Sequence, residues 1–179
     1  MGMNIEDLGV DKSWTLFLDR DGVINKKLDN DYVKNLEEFS FIDGVLEAIS
    51  NFSNLFGRIV IVTNQQGIGK GIMTHDDLKL VHEFMNEELK KAGGRIDKIY
   101  YCPELAAVNA PCRKPNIGMA EEAKKDFPEI DFEKSIMIGD SVSDIEMGVK
   151  AGMYTIFISS GEKTELADWK LANLSELKF

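Results

Sequence analysis

The chain has 179 residues, 44% of them hydrophobic, with two cysteines and a formal net charge of −10. Such a length makes about one domain with a core of its own, and the surplus of acid excludes nucleic acid and anionic membrane as general partners. Two cysteines make no disulfide framework, no apolar run approaches the roughly 18 residues of a membrane span, and residues 1–13 lack a signal-peptide core. A monomeric cytoplasmic protein is expected, a single domain over 1–179 with a flexible tail over 1–13. Any anionic ligand must be drawn in by a local positive site.

In chain order, Trp14–Leu18 opens as a short apolar, β-prone run that ends in Asp19, Arg20 and Asp21. Val45–Phe52 places Val45, Leu46, Ile49 and Phe52 on one side of a helix. A second strand is predicted at Arg58–Val62. The pattern Thr74–Ala92 then starts with an N-cap threonine and acid at N3, and carries Leu78, Val81, Met85 and Leu89 at helical spacing. It stops at Gly93-Gly94. A strand at Ile96–Tyr101, a helix at Met119–Phe127, a strand at Ser135–Ile138 and a helix at Ile145–Ala151 follow. Tyr154–Ile158 reads as a fifth strand and Asp168–Ala172 as a candidate edge strand. Strands alternating with helices predict an α/β fold, a Rossmann-like three-layer sandwich around a parallel sheet.

In open sheets of this kind, ligands sit outside the carboxyl ends of the strands. The first end delivers Asp19 and Asp21, the second Thr63 and Asn64 (VTNQQG), and the fourth Asp140 and Asp144 (GDSVSD). The third leads into a loop ending in CRKP, with Arg113 and Lys114. Clustered carboxylates raise one another's pKa. A hard cation removes that conflict, and oxygen ligands point to Mg²⁺.

Each signal has an ordinary reading beside this one. A lone DxD is often a solvated turn, Thr63-Asn64 could simply end a strand, and Asp144 could only cap the helix after Asp140. Four signals at four strand ends outweigh those readings for all but Asp144, which stays open between cap and metal site. GIGKG at 67–71 fails the phosphate-loop spacing and reads as a loop closing over the Thr63 edge. His75 and His82 read as surface residues of the Thr74 helix.

DRDGVIN, VTNQQG, CRKP and GDSVSD, in this order, resemble the four motifs of the haloacid dehalogenase superfamily of phosphatases. VTNQQGIGKG and CRKPNIGM resemble its capless branch, which holds heptose-bisphosphate and histidinol-phosphate phosphatases. The resemblance implies Asp19 as nucleophile, Asp21 as general acid and base, and Thr63 and Lys114 as holders of the phosphoryl oxygens. It implies Mg²⁺ on Asp19, the Asp21 carbonyl and Asp140. Asn64, Gln65, Gln66, Arg113 and Lys27 become candidate substrate contacts, the last two meeting a second anionic group. The intervals from Asp19 to Thr63 and from Thr63 to Lys114 leave no room for a cap domain.

Two departures from the family pattern bear on function. Many relatives hold a structural zinc with CxH and CxC, where this chain has Cys102-Pro-Glu104 and Ala110-Pro-Cys112. No zinc is expected, and the loop would be held by prolines and by Leu105 and Val108 packing inward. Ser141 stands where the heptose branch has lysine and the histidinol branch arginine, so that contact does not choose the substrate; the cations Lys27 and Arg113 favour a sugar bisphosphate such as heptose 1,7-bisphosphate, with histidinol phosphate as the alternative. A phospho-receiver domain shares the acidic pocket, threonine and lysine, but has no need of Asp21.

Overall fold

The computed structural model describes residues 5–158 and 164–178. Strand β1 (Thr15–Leu18) is followed by helix α1 (Val45–Leu55), β2 (Arg58–Asn64), α2 (His75–Lys91) and β3 (Lys98–Cys102). Then come α3 (Gly118–Asp126), β4 (Ser135–Gly139), α4 (Val142–Ala151), β5 (Tyr154–Ile158) and β6 (Trp169–Leu171). The strands form one sheet of order β3-β2-β1-β4-β5-β6, every neighbouring pair parallel.

The central strand explains the layering. Leu16, Phe17 and Leu18 are all fully buried, as a strand covered on both faces requires. Leu16 and Leu18 face a core that includes Ile49 and Phe52 of α1 and Val81 and Met85 of α2. Phe17 faces the opposite core, with Met119 and Ala123 of α3 and Met147 of α4. Parallel connections bring the carboxyl ends of β1, β2, β3 and β4 to one edge. The interval between β1 and α1 holds loops and short turns, and that between β2 and β3 holds α2, so neither carries a cap.

The Thr74 capping box forms as expected and starts α2. Helix α4 begins three residues before the expected Ile145, because Ser141 and Asp144 make a second capping box. Strand β3 starts later than Ile96, since Asp97 turns its carboxylate onto the Ile59 backbone N–H at 2.7 Å. Asp168–Ala172 does contribute an edge strand, parallel to β5. From residue 5 on, the expected flexible tail is docked: Ile5–Leu8 forms a 3₁₀ turn, Ile5, Leu8 and Val10 lie against the core, and Lys12 Nζ donates to the carbonyls of Ser53 and Phe56. Residues 1–4 of that tail lie outside the described residues. Among the described residues, no helix is long and apolar enough to cross a membrane.

Candidate active site

Asp19 follows directly on β1, and its backbone N–H continues the ladder to the Ile138 carbonyl at 2.9 Å. Its carboxylate accepts from Lys114 Nζ at 2.9 Å, and the same ammonium pairs with Asp144 Oδ1 at 2.6 Å. All three side chains are buried. Burial, with the Asp144 charge behind it, pushes the Asp19 carboxyl up to about 7 against the pull of Lys114. Burial works against the Lys114 ammonium too, but Asp144 and Asp19 outweigh it and hold the group firmly charged. Asp144 therefore has two jobs: it caps α4 through the Ser141 backbone N–H at 3.0 Å, and it partners Lys114.

Asp21 sits in a different environment. Arg20 Nη2 donates to both its oxygens at 2.9 and 3.1 Å, Asn25 Nδ2 to Oδ1 at 2.9 Å and Gln65 Nε2 to Oδ2 at 2.8 Å. Burial alone would raise this carboxyl, but the Arg20 charge and those hydrogen bonds prevail and hold it below the usual carboxylate range. The chain turns at Gly22, where φ is +83° and an added Cβ would run into Asp140 Oδ2. Glycine is what lets the β1 loop lie against Asp140.

Oxygens of Asp19, Asp140 and Asp144 lie within 4.8 Å of one another. Asp140 Oδ1 is buried without a hydrogen-bond partner, while Oδ2 accepts from Lys27 Nζ at 2.8 Å. Burial raises the Asp140 carboxyl even with Lys27 beside it. An all-oxygen donor set with an unsatisfied buried oxygen fits a hard divalent cation such as Mg²⁺.

These groups open onto a cavity of about 290 Å³ walled by Asp19, Asp21, Lys27, Asn64, Gln66, Arg113, Lys114 and Asp140. Asn64 ties two motifs together, accepting from the Lys114 N–H at 3.1 Å and donating to its carbonyl at 3.2 Å. Gln66 joins the rim loops by donating to the Tyr32 hydroxyl at 2.7 Å and accepting from the Ala106 N–H at 3.1 Å. Thr63 lies deeper, its hydroxyl accepting from Gln65 at 3.0 Å. Gln65 is fully buried under Asp21 and so is a support for that carboxylate, correcting its expected place among the substrate contacts. Within 67–71, Gly67 lies against Tyr32 and Met73, the Gly69 N–H donates to the Pro103 carbonyl at 3.1 Å, and Lys70 lies over the Tyr32 ring.

The chain is 41% identical over 154 residues, 86% of its length and 87% of the relative's, to the D-glycero-alpha-D-manno-heptose-1,7-bisphosphate 7-phosphatase of Campylobacter jejuni. This chain belongs to the haloacid dehalogenase-like phosphatases. The HAD-hydrolase-like family model matches residues 111–174. A D-glycero-beta-D-manno-heptose-1,7-bisphosphate 7-phosphatase of Escherichia coli K12 is 36% identical over 176 residues, covering 90% of each chain. The fold matches the crystal structure of the D,D-heptose 1,7-bisphosphate phosphatase of B. bronchiseptica in complex with magnesium and phosphate, with a TM-score of 0.81, 27% identity, and coverage of 90% and 94% of the two chains.

Two expectations for this haloacid dehalogenase-like phosphatase need correction. Cys102 and Cys112, which match zinc-ligand positions of the family, are joined by a disulfide. The end of β3 and the start of CRKP are neighbours at one edge of the sheet, which makes each cysteine the other's partner. Val108 is 58% exposed and does not pack inward. His82 is buried, not a surface residue, and its Nε2 lies 3.0 Å from Arg20 Nη1. Helical spacing held the clue: position 82 falls four after Leu78 and three before Met85, on the apolar stripe of α2.

Proposed function

We propose that the chain removes one phosphate from a sugar bisphosphate, a heptose 1,7-bisphosphate, through an aspartyl-phosphate on Asp19 with Asp21 as general acid and base. The observation that carries this reading is the unequal pair of carboxylates at the end of β1. Asp19 faces Lys114 and the metal-ligand candidates, while Asp21 is held apart by Arg20, Asn25 and Gln65. Neighbouring carboxylates in separate environments are suited to separate roles.

Asp19 attacks phosphorus and the bond to the sugar oxygen breaks, with Asp21 giving that oxygen its proton. The phosphate dianion arriving beside Asp21 raises its pKa, so Asp21 takes up a proton from solvent as the substrate binds and holds it for the leaving group. Water then attacks the phosphorus of the aspartyl-phosphate, Asp21 takes the water's proton, and Asp19 is freed with inorganic phosphate. Lys114 neutralises the phosphoryl oxygens, with the Asn64 backbone and Thr63 as further support. Mg²⁺ on Asp19, the Asp21 carbonyl and Asp140 would supply charge neutralisation during transfer. Lys27 and Arg113, which line the cavity, would meet the second phosphate.

The test is a comparison of kcat/KM for both anomers of heptose 1,7-bisphosphate and for histidinol phosphate, on the wild type and on Asp19→Asn. The proposal expects the bisphosphate to lead and Asp19→Asn to abolish turnover. A clear preference for histidinol phosphate, or near-normal rates from Asp19→Asn, would overturn the substrate or the covalent route respectively.

A further inference from the structure

Arg20 lies between the two aspartates in sequence and is completely buried. It continues the alternation of Leu16 and Leu18 and runs into the layer of α2. There its Nη2 donates to both oxygens of Asp21, and its Nη1 reaches His82 Nε2 at 3.0 Å. A guanidinium is only a donor, so His82 Nε2 must be the acceptor and the imidazole is neutral, its proton on Nδ1. The Tyr101 ring packs on the imidazole at 6.3 Å between centroids.

We propose that His82 is a positioning residue for the general acid: it fixes the rotation of Arg20, and Arg20 fixes the carboxylate of Asp21. The inference rests on the general-acid reading of Asp21 given above. The choice of histidine follows from charge. A carboxylate at this place would hold the guanidinium equally well, but it would compete with Asp21 for the Arg20 charge. A neutral acceptor satisfies Nη1 and leaves the whole positive charge to Asp21. An apolar side chain would leave a buried N–H unpaired and free the guanidinium to turn. Asn25 and Gln65 each donate to one Asp21 oxygen only, so they cannot replace a donor that bridges both.

The experiment exploits the leaving group. The 7-phosphate ester of a heptose leaves as a poor primary alkoxide and needs a proton, whereas p-nitrophenolate leaves unaided. His82→Leu should lower kcat/KM for heptose 1,7-bisphosphate about tenfold and for p-nitrophenyl phosphate by less than about twofold. His82→Gln, which puts an amide oxygen near the place of Nε2, should recover most of the heptose rate. Equal losses on both substrates, no loss on either, or a glutamine variant as poor as leucine would overturn the proposal. If His82→Leu does not fold, His82→Asn replaces it, because the shorter amide keeps a polar group in this layer but falls short of Arg20 Nη1. It should show the same leaving-group-dependent loss, and the absence of that loss would overturn the proposal. Asp21→Asn run alongside separates the two levels. If it shows the leaving-group effect and the His82 variants do not, only the inference fails. If it shows none, the acid role falls and the proposal with it.

Discussion

Lys114 Nζ stands between two buried carboxylates, 2.9 Å from Asp19 Oδ1 and 2.6 Å from Asp144 Oδ1. One ammonium thus holds the proposed nucleophile against the N-terminal turn of α4, and the site shares its charge balance with the fold. Lys114→Met would leave both carboxylates buried without that cation. Breaking a buried pair in this way costs roughly 3–5 kcal/mol. The expected outcome is a lower urea midpoint together with loss of turnover, and a larger stabilisation by Mg²⁺ than in the wild type, since a divalent cation can take over part of the neutralisation. A Lys114→Met protein as stable as the wild type in EDTA would show that the three groups do not act as a charged unit.

His82 links stability to pH. Burial, aided by the nearby Arg20 charge, depresses its pKa from 6.5 to about 3. Between those values the unfolded chain binds a proton that the folded chain refuses. Stability is therefore full above about 6.5 and falls as pH drops towards 3, with a slope of at most about 1.4 kcal/mol per pH unit for this one group. His82→Gln removes the group, so its urea midpoint should fall less than that of the wild type between pH 7 and pH 4.5. Parallel pH profiles for the two proteins would show that His82 takes up its proton without unfolding.

Much of this arrangement is legible in the sequence. Asp19, Asp21, Asp140 and Lys114 can be placed at one edge because alternating strand and helix patterns determine where strands end, and motif spacing identifies what stands there. What cannot be read depends on long-range partners. The Arg20–His82 contact spans 62 positions, and no local pattern announces that a polar residue on an apolar stripe has a buried guanidinium waiting for it. Gln65 misleads for the same reason: it neighbours the motif threonine, yet its amide turns under Asp21. The docking of residues 5–13 depends on where Ser53 and Phe56 end α1, which their own sequence does not reveal.

Asp140 gives the clearest test of the metal. Its Oδ1 is buried without a partner and its Oδ2 holds Lys27 at 2.8 Å. Asp140→Ala should shift the Mg²⁺ requirement to higher concentration and leave the fold intact. Calcium should inhibit, because its longer bonds and looser geometry misplace the nucleophile against phosphorus. Undiminished activity after exhaustive chelation would remove Asp19 and Asp140 from the role of ligands.

Lys27 and Arg113 should govern selectivity rather than rate. Lys27 Nζ is held by Asp140, and Arg113 Nη1 donates to the Glu104 carbonyl at 3.2 Å, so both cations lie on the wall of the cavity without touching Asp19. Replacing either by methionine should raise KM for a bisphosphate about tenfold, the scale of one charge-assisted contact. The same change should leave KM for a monophosphate nearly unaltered. Equal effects on the two substrates would place the second phosphate elsewhere.

The disulfide between Cys102 and Cys112 joins the end of β3 to the residue before Arg113. It clasps the loop that the family pattern would give to zinc, and two sulfurs bonded to each other are not available as metal ligands. Closing a loop of this size restricts the unfolded chain and stabilises the fold by roughly 2–3 kcal/mol. For a chain of this length that corresponds to several degrees of Tm. The oxidised protein should therefore show no free thiol when denatured, and reduction should release two while lowering Tm. Turnover of a small monophosphate should survive reduction, because Lys114 stays tied to Asn64 through two hydrogen bonds that do not involve the clasp. Affinity for a bisphosphate should weaken instead, as Arg113 and the Ala106 contact to Gln66 belong to the loop that is loosened. Elemental analysis is the counter-test: about one zinc per chain, with both thiols protected from labelling until a chelator is added, would show that other groups complete a closed four-ligand site around these cysteines.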